Sequence, residues 1–66
     1  MQIIINGNIK DLKNGITLLD VLKELKLANK VMAAAINMEI VKQGDWDKRI
    51  LKDKDKLELL DFVGGG

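Results

Sequence analysis

Three consecutive glycines, Gly64, Gly65 and Gly66, end this 66-residue sequence, and the group they offer to chemistry is the carboxylate of the chain end. Without Cβ atoms such a tail enters a narrow channel with its backbone close to the walls. Extended, it reaches roughly a nanometre past Val63. The carboxylate is ionised at neutral pH and is a poor electrophile until a partner activates it. Adenylation makes it an acyl-adenylate with a good leaving group, and a sulfur nucleophile then leaves a thiocarboxylate on Gly66. None of this requires a side chain from the carrier. The alternative is an inert, frayed end. Two features favour chemistry: the glycines follow the last expected strand without a spacer, and they are the end of the sequence.

The rest of the composition narrows the choice in the same direction. The sequence has no Cys, His, Pro or Tyr. Missing Cys removes the thiolate nucleophile, the disulfide and the thiolate zinc site. Missing His removes the commonest general base near neutral pH and the commonest metal ligand. A self-contained enzyme is not expected. Basic and acidic side chains number 11 and 10 and are interspersed, and the aromatics are only Trp46 and Phe62. That is not the basic, stacking surface of a nucleic-acid binder. No run approaches a membrane span and no basic leader precedes the first apolar run, so a cytoplasmic protein, monomeric when free, is expected.

The elements that must position the tail follow from periodicity. Gln2–Asn6 is a β-branched run with strand composition. Gly7-Asn8 supplies a tight turn, and Ile9–Lys13 returns as a polar edge strand. Asn14-Gly15 is a second turn. Thr17 and Asp20 have the spacing of a capping box. Leu18, Val21, Leu22 and Leu25 then form one apolar stripe, which predicts a helix over 18–26. Val31–Ile36 reads as a central strand covered on both faces, although its alanines favour helix. Ile40-Val41 is a short strand. The connection 42–53 carries a helical turn near Asp45-Trp46-Asp47. Asp53-Lys54-Asp55 is a charged turn, and Leu57–Val63 is the last strand.

Alternation directs Ile3, Ile5, Leu57 and Leu59 at the helix. It leaves Ile4, Leu60 and Phe62 on the opposite face, where an exposed apolar cluster would mark a partner site; completion of the core is the competing role for Leu60 and Phe62. Trp46 reads as a packing anchor, and Met32 and Met38 as core filling. The order β-β-α-β-(β)-β specifies an α+β fold: a mixed sheet of four to five strands gripping one helix, the β-grasp or ubiquitin-like architecture. The folded body is expected over 1–63, with 64–66 as a glycine tail.

Across its whole length the chain resembles the ubiquitin-like sulfur carrier proteins of thiamin biosynthesis, the ThiS family. The resemblance is carried by Asn6-Gly7, by Thr17-Leu18-Leu19-Asp20-Val21-Leu22 and by Ala35-Ile36-Asn37. Ile40-Val41, Trp46, Asp53-Lys54-Asp55 with Leu57-Glu58-Leu59, and Phe62-Val63-Gly64-Gly65-Gly66 complete it. Many relatives have Asp-Gly-Asp in place of Asp53-Lys54-Asp55, and Pro-Arg in place of Lys42-Gln43. The resemblance implies a cycle. An adenylyltransferase of the ubiquitin-activating type uses ATP and magnesium to adenylate Gly66. A desulfurase persulfide supplies the sulfur, thiazole synthase consumes it, and the carrier is a co-substrate that binds no cofactor of its own. Alternatives are the small subunit of molybdopterin synthase, a ubiquitin-like protein modifier, or a non-covalent interaction module with an inert tail.

Overall fold

The computed structural model describes residues 1–61. The expected strand end at Phe62 and Val63, and the tail at 64–66, lie outside the described residues. The elements are β1 (Gln2–Ile5), β2 (Asn8–Asp11), α1 (Leu18–Glu24), β3 (Val31–Ile36), β4 (Glu39–Val41), a single 3-10 turn (Gln43–Asp45) and β5 (Lys56–Asp61). They form one five-stranded sheet in the order β2-β1-β5-β3-β4. β1 and β5 run parallel, and every other pair is antiparallel. The first and last strands therefore meet in the middle of the sheet, and α1 covers one face. This is the β-grasp.

Local chemistry explains most of these elements. The capping box forms as its spacing predicts: the Asp20 amide donates to the Thr17 hydroxyl at 3.2 Å, and the Thr17 amide donates to the Asp20 carboxylate at 3.3 Å. The helix closes earlier than position 26. Lys26 sits in the left-handed region (φ 59°), its amide donates to the Lys23 carbonyl, and the Leu27 amide reaches the Leu22 carbonyl at 2.8 Å. That is a Schellman closure with lysine where glycine is usual. The β1–β2 turn is built on Asn6 (φ 47°) and Gly7 (φ 87°) rather than on Gly7-Asn8; Asn8 already belongs to β2.

The core collects Ile3, Ile5 and Leu57 from the sheet centre, Leu18, Val21 and Leu22 from α1, and Ala34 and Ile36 from β3. Two expectations about β3 need correction. It is an interior strand, but only one of its faces is covered: Ala33 and Ala35 are half-buried, and Met32 is 55% exposed. Nor does either methionine fill a core gap, since Met38 is 88% exposed. A seven-residue helix shields one face of the sheet, so the opposite face stays open.

The loop before β5 is tied by carboxylates. Asp53 accepts the Gln2 amide at 2.7 Å, while Asp55 accepts the Lys52 amide and the Asn37 side chain at 2.8 and 2.9 Å. Between them Lys54 holds φ 73°. A β-carbon there crowds the backbone, a cost that glycine avoids. Lys54→Gly is expected to gain about 1 kcal/mol, raising the thermal midpoint by about 4–8 °C. Thermal unfolding followed by circular dichroism checks this, and an unchanged or lower midpoint contradicts it.

Candidate functional site

The site expected from the sequence follows β5, so the geometry of the candidate begins with what holds that strand. β5 lies between β1 and β3. On one side Ala33, Ala34, Ala35 and Ile36 pair with Leu60, Leu59, Glu58 and Leu57, and Val31 pairs with Asp61 after a register shift. On the other side Ile4 and Ile5 pair with Lys56 and Leu57. The Ile4 amide donates to the Asp55 carbonyl at 3.0 Å and the Asn6 amide to the Leu57 carbonyl at 2.9 Å. One further contact continues this edge: the Leu59 amide donates to the Asn6 side-chain oxygen at 2.8 Å. Leu57 is fully buried and Leu59 packs on the core. The strand that leads to the glycines is thus anchored in the sheet centre, and displacing it would open the core.

Gly64, Gly65, Gly66 and Phe62 lie outside the described residues. Ile4 and Leu60 do share the face away from α1, with Ile4 half-buried and Leu60 60% exposed. They do not form one contiguous patch. Ile4 sits opposite Lys56 on β5, four residues before Leu60, which is about 13 Å along a strand. Its apolar partner is Ile9 on the edge strand. Leu60 instead borders an open depression lined by Ala33, Ala35, Ile40 and Glu58. Ile40, 69% exposed, pairs with Ala35 and was not among the expected contact residues. The signal for it was present in the alternation of Ala33, Ala35 and Ile40, and was masked by taking β3 as covered on both sides.

Trp46 does what its packing role requires. It is 2% exposed, and its indole N–H donates to the Val41 carbonyl at 3.0 Å. Its own carbonyl accepts the Leu19 amide at 2.9 Å, tying the connection to α1. Among the described residues no group of three or more Asp, Glu, His or Cys side chains could hold a metal ion. No helix there is long and apolar enough to cross a membrane. One exposed ion pair, Arg49 to Glu39 at 3.8 Å, links the connection to β4.

A mixed sheet that grips one helix, with its first and last strands paired in parallel inside it, is the geometry to compare with known proteins. The model of the ThiS family matches residues 3–66, glycines included. The chain belongs to the ThiS family. The sulfur carrier protein ThiS of Escherichia coli is 32% identical over 66 residues, covering all of both chains. The crystal structure of the thiamine biosynthesis protein ThiS from Geobacter metallireducens has a TM-score of 0.82 at 28% identity, again over the whole of both chains. A thiazole synthase from Paramagnetospirillum magneticum is 33% identical over 66 residues, but this chain spans only 20% of its length. The ThiS fold and the β-grasp expected from the element order agree, and all five strands of the described sheet belong to it.

Proposed function

We propose that this chain is a sulfur carrier of thiamin biosynthesis, charged at the Gly66 carboxylate. The observation that carries the reading is the end-to-end likeness to a ThiS sulfur carrier protein, in which the matched region runs through the terminal glycines. The fold adds a physical reason. β5 is held on both sides up to Leu59, so a partner that docks on the body receives the following residues from a fixed root.

The chemistry proceeds in three steps. A partner adenylyltransferase joins the Gly66 carboxylate to AMP from magnesium-bound ATP, releasing pyrophosphate. A persulfide derived from cysteine attacks the acyl carbon and AMP leaves. A partner thiol then cleaves the acyl disulfide, leaving a thiocarboxylate on Gly66 and a disulfide on the partner side. The carrier is a co-substrate in the cytoplasm and lends the reaction no side chain, which suits a sequence without Cys or His.

Thiazole synthase is the proposed sulfur acceptor. The match to about a fifth of a thiazole synthase supports this, because it places a carrier-like segment in the same polypeptide as that enzyme's name. The test is transfer from the charged chain. Mixed with thiazole synthase and its small substrates, it is expected to lose its sulfur as thiazole phosphate appears. Discharge only by the large subunit of molybdopterin synthase, or conjugation to lysines instead, overturns the reading.

The open sheet face is the proposed docking surface, with Ile4 and Leu60 at separate places on it; Phe62 is proposed with them from the sequence alone. Leu60→Asp places a charge where a partner would desolvate it. Since Leu60 is 60% exposed, the fold is expected to be retained. Affinity for the adenylyltransferase is expected to fall by roughly 5- to 30-fold, read by titration calorimetry. Wild-type affinity in the folded variant, or loss of folding, removes Leu60 from the interface.

A further inference from the structure

In a parallel ladder one residue donates its amide to the neighbouring strand, and its carbonyl receives the amide two residues further along that strand. Asn6 makes the first of these bonds, to the Leu57 carbonyl at 2.9 Å. Its backbone then enters the left-handed turn (φ 47°), and its main-chain carbonyl no longer follows the ladder. The second bond is still made: the Leu59 amide donates to Asn6 Oδ1 at 2.8 Å, across 53 residues of sequence. The side chain has replaced the backbone as the last described rung on that edge of β5. Asparagine suits both demands, because it tolerates positive φ and carries an acceptor on a short arm.

We propose that Asn6 is a positioning residue for the sulfur-transfer tail, extending the β1–β5 ladder by one rung so that β5 presents the following residues in a fixed direction. This rests on the carrier reading above. Leu59 stands seven residues before Gly66, a span of about 23 Å when drawn out in a partner's channel. A root already in register lets the carboxylate enter the partner's site without first ordering β5. Loss of the rung transfers that ordering to the binding step, so the Michaelis constant for the carrier rises while turnover of the bound complex is unchanged.

Asn6→Gly and Asn6→Asp separate the two jobs of the residue. Glycine keeps the left-handed turn and removes the acceptor; aspartate keeps both. Asn6→Gly is expected to speed hydrogen exchange at the Leu59 amide and to raise KM in the adenylation assay by about 3- to 10-fold, the range of one net hydrogen bond, with kcat unchanged. Asn6→Asp is expected to restore both. The proposal is overturned if the Leu59 amide stays protected in Asn6→Gly, if KM does not rise although protection is lost, or if Asn6→Asp fails to restore it. Wild-type charging reads the carrier assignment separately: an uncharged wild type overturns that assignment and the Asn6 role with it, whereas equal KM values for charged wild type and Asn6→Gly overturn the Asn6 role alone.

Discussion

Trp46→Ala is expected to unfold much of the population at 37 °C. Trp46 is the largest buried side chain in the described core. Truncating a buried tryptophan costs about 3–5 kcal/mol. The Val41 carbonyl also loses its indole donor, and the Leu19–Trp46 backbone bond loses the packing that holds it in place. A domain of this size has a total stability of about 3–10 kcal/mol, so one substitution removes a third or more of it. The connection 42–53 has a single short 3-10 turn and no strand, so it is fixed by the buried side chains of Trp46 and Leu51 and by the backbone bonds from Leu18 to Arg49 and from Leu51 to Ile16. Urea unfolding monitored by circular dichroism checks this. A midpoint within experimental error of the wild type would show that the connection is held elsewhere. Trp46→Phe, which keeps most of the volume and loses the N–H, is expected to fall between the two.

Removing Gly65 and Gly66 is expected to leave the fold intact and abolish charging. The described core draws on residues from Ile3 to Leu57, so stability is expected to change by less than about 0.5 kcal/mol, as for surface changes in general. Chemistry responds very differently. The shortened chain still ends in a glycine carboxylate, but that group lies two residues back, about 7 Å short when extended. In-line attack on ATP needs reacting atoms about 3–3.5 Å apart, and a misplacement of about 1 Å already costs on the order of 10²-fold. Pyrophosphate release with the adenylyltransferase is expected to fall by at least that factor. Undiminished release from the shortened chain would show that the position of the terminal carboxylate does not matter, which the carrier mechanism does not allow.

What the sequence discloses here depends on how local the determining physics is. The capping box, the Asn14-Gly15 turn and the alternation that buries Ile3, Ile5 and Leu57 are set within a few residues, and each forms as its pattern predicts. The fold class is also accessible, because one helix and four or five short strands have few ways to share a core. The open face is harder to read. Val31–Ile36 is apolar at every position, so its pattern does not say which side is covered; that is decided by a helix of only seven residues. A register shift between Val31 and Ala33 further disturbs the alternation. Met38 misleads for another reason. It occupies a left-handed turn position (φ 72°) next to Asn37 (φ 52°), where glycine is the usual signal. The Asn6–Leu59 bond spans 53 residues and has no sequence signature beyond the Asn-Gly turn itself. The chemistry expected of the tail rests only on a residue type and a position, Gly66, which lies outside the described residues.

The central claim is that Gly66 carries the sulfur, and intact-mass spectrometry tests it most directly. The chain is incubated with a ThiS adenylyltransferase, magnesium-ATP, a cysteine desulfurase and cysteine, and then fragmented. The account predicts a mass increase equal to the exchange of one oxygen for one sulfur, confined to fragments that contain Gly66 and lost when ATP is omitted. An unchanged mass in the presence of every component, or sulfur located on any other residue, would contradict it.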